Sequence, residues 1–246
     1  MKWLTRLFWV SMTLRHVLYV SYLVPTSQVR PHVPDVLPLS AVADGRVFVS
    51  VVGMKCNHVR MTAFPWPAFN YSQLNVRTYV RDPQTGKPAV CFLRSGVSSA
   101  TVSALTRVFG MSWQKGDLNS RTSQSQDETH GEYLVRGNWQ GDVDIRAGVS
   151  DGTGGAIEPF QSWQSLVDHL TAPMIGFGGP KGSTKRFEII HRPLEVRAGE
   201  LRSIQFQLLK SMNLVDEAAM ERPHNVLLVP QAEFTVCLPP RRVRAA

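Results

Sequence analysis

Gln73, Asn75, Arg77 and Tyr79 place two amides, a guanidinium and a phenol at alternate positions of one short stretch. A guanidinium grips a carboxylate through two parallel hydrogen bonds, and amides and phenols add single donors and acceptors around it. The residues between them, Leu74, Val76, Thr78 and Val80, are apolar or small. This period of two predicts a strand with one apolar face and one polar face. Two placements account for the polar face. On an open sheet Arg77 and Arg81 are wetted by solvent. In a closed barrel the row lines the interior, and Arg77 is built to hold an acid.

Other chemistry-bearing residues are isolated. His58, His191 and Glu188 are single candidates, and a lone strand histidine is more often a satisfied structural group than a catalyst. The stretch 176–184 is rich in glycine, but Lys181 precedes Gly182 instead of standing directly before Ser183, so it fails the phosphate-loop pattern and reads as a turn. Residues 96–100 lack the last glycine of a nucleophile elbow. Asp142 and Asp144 form a lone acidic pair read as solvated. Seven histidines and three cysteines show no ligand spacing, so no metal and no cofactor is expected.

The chain has 246 residues, 43% of them hydrophobic and 19% charged, with a formal charge of +8. That is a globular composition with ample material for a core. The excess of arginine is dispersed, and its tightest cluster, Arg241, Arg242 and Arg244, lies at the C-terminal end. The charge makes nucleic acid, anionic lipid or a small anionic organic molecule conceivable partners, and a dispersed excess reads as solubility, which disfavours nucleic acid. Cys56, Cys91 and Cys237 are odd in number and unpaired in spacing, which argues against a disulfide scaffold and for a cytoplasmic setting. The apolar runs 7–14 and 17–24 are separated by Arg15 and His16, so no span of about 20 apolar residues exists and no stable membrane insertion is expected. Both runs read as buried strand or helix. A homo-oligomer is compatible with all of this.

The elements that must position the polar row follow from turn residues and periodicity. Residues 26–30 read as one helical turn stopped by Pro31. Strands are expected at 46–52, extended by 58–61, at 73–81, and at 88–93 beyond the Asp82-Pro83-Gln84-Thr85-Gly86 turn. Pro65 and Pro67 frame a rigid loop. Residues 98–109 form the clearest helix, with an apolar stripe of Val102, Leu105, Val108 and Phe109. Residues 119–129 read as a polar loop, 132–135 and 142–149 as a hairpin, and 160–170 as a short helix. Further strands are expected at 187–190, 194–197, 226–229 and 233–238, with a helix at 206–214. The fold expected is α+β and strand-dominated: one domain over 1–246, with 1–16 and 240–246 peripheral.

Residues 73–80, the preceding strand 47–52, the helix end 105–110 and Ile190-His191-Arg192-Pro193 together resemble the YqjF-like uncharacterised family. That family looks like a branch of the acetoacetate decarboxylase-like superfamily, and the likeness runs from Val17 to Leu238. It implies a curved antiparallel sheet closed into a conical barrel with a few outer helices, holding a small acidic molecule. It also implies ligand contacts from Gln73, Asn75, Arg77, Tyr79 and His191, with Trp113 shaping an apolar wall. Family members usually carry Glu where this chain has Gln73. In true acetoacetate decarboxylases a Phe/Tyr-Pro-Lys-Lys segment supplies a Schiff-base lysine. The matching stretch here is 111–115, where Trp113 and Gln114 stand at the lysine positions. Lys115 is displaced by one residue and is the remaining candidate for a lyase amine. The preferred reading is therefore binding without an assigned reaction, with a Schiff-base lyase and a basic nucleic-acid-binding protein as alternatives.

Overall fold

Alternating sequence becomes strand through most of the chain. The computed structural model describes residues 8–63, 68–123, 131–152, 154–180 and 182–243. The strands are β1 (Val10–Pro25), β2 (Arg46–Met61), β3 (Phe69–Arg81), β4 (Pro88–Val97), β5 (Trp113–Lys115), β6 (Asp117–Thr122), β7 (Tyr133–Asn138), β8 (Asp142–Val149), β9 (Ile175–Gly178), β10 (Lys185–His191), β11 (Arg197–Phe206) and β12 (Asn225–Arg242). The helices are short: α1 (Thr26–Val29), α2 (Ala100–Val108), α3 (Trp163–Thr171), α4 (Gln207–Ser211) and α5 (Glu217–Met220).

Strands pair in the order β1-β2-β3-β4-β9-β10-β12, and β12 returns to β1, which closes a barrel of seven strands. Closure leaves these strands without a free edge. From β12 the sheet also continues through β11, β8, β7 and β6, and this flap folds back over the outside of the barrel. Glycines permit the close approach. A Cβ at Gly53 of β2 would stand 2.5 Å from Val135 of β7, and one at Gly96 of β4 would stand 2.4 Å from the Trp139 ring.

Two apolar layers result. Leu18, Val20, Val49, Val51, Leu74, Val76 and Val80 face the flap, together with Val135, Trp139 and Ile145. Tyr19, Phe48, Val52, Tyr71, Tyr79, Leu227 and Val229, of opposite parity, form the barrel's inner layer with Leu166 and Leu170 of α3. Every residue pair of β3 thus separates into a flap side and an inner side.

Several expectations are corrected. The two N-terminal runs are one strand, interrupted by a bulge at His16, which takes φ 53. Residues 10–16 are therefore integral to the barrel, and Leu14 is buried. The α-helical turn ends at Val29, just before Pro31, and the chain continues into a 3-10 turn, Arg30–His32. The sheet is not wholly antiparallel, because β5 and β9 both run parallel to β4. Residues 119–122 belong to β6, 124–130 lie outside the described residues, and so do Pro65, Pro67, Lys181 and Arg244. The two C-terminal strands are one, β12, which carries Arg241 and Arg242 into register with β10. Residues 194–196 are not strand, and β11 runs from Arg197 to Phe206, through a stretch to which no element was assigned and into the start of the expected helix. In α2 the stripe is only half used: Val102 is buried, whereas Val108 is 80% exposed. Asp144 is not simply solvated, since Arg136 and Arg146 both bind it, at 3.2 and 3.0 Å.

Candidate functional site

The register brings hydroxyls and cations of three neighbouring strands into one line inside the barrel. Ser21 of β1 is the cross-strand partner of Ser50 of β2, and Ser50 is the partner of Arg77 of β3. Ser21 Oγ lies 2.8 Å from Ser50 Oγ, and Ser50 Oγ lies 2.9 Å from Tyr79 Oη. The Tyr79 phenol then donates to the main-chain oxygen of Leu170 in α3, at 3.2 Å. A continuous hydroxyl chain therefore ends on the last turn of the helix that plugs this end of the barrel.

Arg77 shares that acceptor. Its Nη2 donates to Leu170 O at 2.7 Å and to Tyr79 Oη at 3.4 Å. The guanidinium sits 5.1 Å from the centre of the Tyr19 ring and 5.6 Å from that of Tyr79. These contacts are physically coherent: ring faces attract the cation, and so do the carbonyls at a helix C-terminus. They are nevertheless incomplete. Arg77 Nε is buried with no hydrogen-bond partner among the described residues, and no carboxylate of those residues pairs with this guanidinium. The side chain as a whole is half-buried, and a cation partly withdrawn from water without an anion carries a desolvation cost that neutral acceptors offset only in part.

Further along β3, Gln73 Nε2 donates to Asn75 Oδ1 at 3.0 Å, and Cys56 Sγ approaches Gln73 Oε1 at 3.7 Å. Both amides are buried. Burial pushes the Cys56 thiol up to about 12, so it is a packed hydrophobe and not a nucleophile. All four residues of the polar row thus share the inner face. Packed side chains surround them, and the apolar chamber of about 110 Å³ at the opposite end, under α2, is lined by Tyr71, Val102, Trp113 and Val236 but by none of the four.

Trp113 is half-buried in β5, packed with Met111 and Phe187. Gln114 points the other way, accepting hydrogen bonds from Trp139 Nε1 and the Gln140 side chain. Lys115 is exposed at the end of β5, paired with Val97. His191, at the end of β10, stacks on Phe234 with ring centres 4.4 Å apart, and its Nδ1 lies 2.7 Å from Arg192 O. Burial depresses the His191 pKa, the Arg192 carbonyl opposes this, and the charge of Arg77 lowers it further. His58 is exposed in a bulge of β2, at φ 52. Glu188 binds Arg186 at 2.9 Å on the outer surface.

Three participants were missed by the sequence reading: Tyr19, Ser21 and Ser50. Serine inside the valine-rich runs of β1 and β2 is the signal that could have found them, since it breaks apolar continuity at the inner parity. α3 was expected, but not its place as the plug. There His169 packs on Tyr79 and Phe160, with ring centres 5.0 and 5.1 Å apart, and burial with the nearby Arg81 charge lowers its pKa to about 4. Outside α3, a cavity of about 870 Å³ borders Phe160, His169, Ala172 and Met174.

A barrel of this kind is also the fold of solved acetoacetate decarboxylase-like structures. The chain belongs to the family DUF2071, described as an uncharacterized conserved protein, which it matches over residues 11–233. Among solved structures, the enduracididine biosynthesis enzyme MppR, in complex with the condensation product of pyruvate and imidazole 4-carboxaldehyde, has a TM-score of 0.64 and 14% identity, covering 96% of this chain and 88% of that one. An acetoacetate decarboxylase-like enzyme from Sphingomonas wittichii RW1 follows at 0.57 and 12%, covering 98% and 94%. The acetoacetate decarboxylase of Legionella pneumophila gives 0.57 and 9%, covering 95% and 87%. These likenesses show the fold. No curated protein sequence matches the chain significantly.

Proposed function

We propose that this protein binds a small organic acid inside the barrel, with Arg77 as the anchor of the carboxylate. The observation that carries the reading is the Arg77 guanidinium, enclosed by Tyr19, Tyr79 and α3 without a carboxylate partner among the described residues. A carboxylate is the group that satisfies its open Nε and neutralises its charge. Tyr79 and Asn75 supply polar contacts from the same face, with Gln73 behind them, whereas Trp113 lies in the chamber under α2 and takes no part. Because Leu170 O occupies Nη2, binding exchanges a helix carbonyl for the ligand, and α3 yields as the ligand enters. That the same fold in MppR accommodates pyruvate is in keeping with a keto acid or related small acid. The three cysteines are free, in keeping with a cytoplasmic setting.

A Schiff-base lyase has less support. Such a lysine works from an enclosed site that excludes water. Lys115 is exposed, and none of the described lysines is buried. Borohydride in the presence of acetoacetate should therefore trap no adduct at Lys115.

Calorimetric titration with pyruvate, acetoacetate and succinate tests the proposal. Binding of at least one acid is expected, weakened by about 2 kcal/mol or more in Arg77→Met, the worth of a charge-assisted hydrogen-bonded pair. Arg77→Lys should also weaken it, because an ammonium cannot reproduce the fork. If none of the acids binds, or binding survives Arg77→Met unchanged, the anchoring role is wrong.

A further inference from the structure

The apolar chamber of about 110 Å³ under α2 takes its wall from β1, β2, β3, β5, β12 and the helix itself. Four of these, β12, β1, β2 and β3, are successive neighbours in the closed barrel, so the strand ladder holds the wall in place. An empty apolar space of this kind costs stability in proportion to its volume. An occupant that touches the wall restores the missing dispersion contacts. Leu105, part of the lining, is 45% exposed, so the chamber reaches the surface beside α2.

Two features of the lining define the occupant. The first is its shortage of free hydrogen-bonding groups. Arg60 is the only charged residue in the wall among the described residues, and it is exposed. The Thr106 hydroxyl already donates to Ser103 O at 3.0 Å, and the Tyr71 phenol is hydrogen-bonded with the Cys56 thiol. A water molecule settles in a cavity only where about two to four polar partners receive it, so this wall disfavours water. The second feature is the kind of apolar group present. Three of the chain's eight methionines, Met12, Met61 and Met111, line the chamber together with the rings of Phe69, Phe109 and Trp113. Thioethers pack favourably against an aromatic ring and adapt to its outline, and ring edges and faces attract one another.

We infer that the chamber is a second binding site, which takes a small uncharged arene. Its size approaches that of an apolar cavity of roughly 150 Å³ known to hold benzene. It stands apart from the acid site, because none of Gln73, Asn75, Arg77 and Tyr79 lines it. Tyr71 precedes Arg77 by six residues on β3, about 20 Å along the strand. A small acid held at Arg77 does not span that distance, so the inference stands whether or not Arg77 binds one.

Titration of the full chain with toluene tests it, read by the methionine methyl signals in NMR spectra and by the melting temperature. Saturating toluene should shift the Met12, Met61 and Met111 signals, leave those of Met174, Met212 and Met220 in place, and raise the melting temperature. Benzamide should do neither, because its amide would give up hydrogen bonds to water that this wall cannot replace. Pyruvate should leave the three chamber methionines unmoved. Val102→Phe, which builds a ring into the chamber from α2, should abolish both responses to toluene. Should that variant fail to fold, the methionine map of the wild type decides by itself. The inference is overturned if saturating toluene moves none of the three signals, if benzamide or pyruvate moves them equally, or if Val102→Phe responds as the wild type does.

Discussion

Arg77 Nη2 lies 2.7 Å from the main-chain oxygen of Leu170, so a barrel cation is tied to the last turn of the helix that plugs the barrel. Tyr79 Oη donates to the same oxygen at 3.2 Å, so the tether is double. Arg77→Met removes one donor and with it a half-buried charge that lacks an anionic partner among the described residues, and these effects oppose each other. Global stability in urea should therefore change by less than about 1 kcal/mol, while hydrogen exchange within α3 speeds up. A loss above about 3 kcal/mol would mean that Arg77 is chiefly structural.

Another cation, Arg186, is buried and does have its anion. Asp82, at the turn after β3, has no side-chain exposure, and Arg186 of β10 binds it at 3.2 Å across the barrel wall. Burial raises the Asp82 pKa, but the Thr85 hydroxyl and the Arg186 guanidinium pull it net below the ordinary carboxylate value. Asp82→Asn leaves Arg186 with the exposed Glu188 as its remaining anion and should cost about 1–3 kcal/mol, with Asp82→Asn/Arg186→Leu recovering part of it. Chemical denaturation of the single and double variants measures this; equal losses in both would refute the pairing as the cause.

His169 should make stability depend on acid. Its pKa is 6.5 in the ordinary state and about 4 in the folded protein, because burial and Arg81 disfavour the imidazolium. Between these values the unfolded chain binds the extra proton, so stability is fully present above pH 6.5 and declines as the pH falls towards 4. Allowing for partial exposure, the loss is on the order of 2 kcal/mol. His224, which meets Phe48 in the same ring cluster, also has a lowered pKa and adds to the slope with the same sign. Urea midpoints at pH 7 and pH 4.5 should converge in His169→Phe relative to the wild type. An unchanged gap would remove His169 as the source.

The flap is seated through a missing side chain. A Cβ at Gly96 would come within 2.4 Å of the Trp139 ring, which is itself stacked on Phe206. Gly96→Ala should therefore destabilise by about 1–3 kcal/mol, the usual cost of overpacking. Trimming the ring in Gly96→Ala/Trp139→Leu should cost less than the sum of the two single changes. Strict additivity in thermal denaturation would show that the contact is not the reason.

The outline of the barrel was legible because its inner and outer layers differ. In β3 the polar and apolar parities separate cleanly, so both the strand and its sidedness could be read. β12 was read as two strands because Pro230 falls in its middle. The ladder with β1 runs from Val17–Val229 to Arg15–Gln231, so Pro230 lies opposite the His16 bulge, where a missing N–H is tolerated. The polar row was visible, but its hydroxyl chain was not. Ser21, Ser50 and Tyr79 meet through inter-strand register, and register depends on partners that no local pattern names. The plug was likewise out of reach: the amphipathic pattern announces α3, and only the tertiary structure places Leu170 O over Arg77.

The barrel is closed by its first and last strands. Thr13 Oγ1 donates to Glu233 Oε1 at 2.9 Å although the two residues are 220 positions apart. During synthesis β1 and β2 emerge early, yet β1 cannot gain its second partner until nearly the whole chain has left the ribosome. Contacts of such high sequence separation form slowly, because a long loop must close before they yield any stabilisation. In the meantime an apolar strand with an open edge is available to other chains. The closure that leaves the native barrel without edges thus makes its folding late, cooperative and dependent on protection of the nascent N-terminal hairpin.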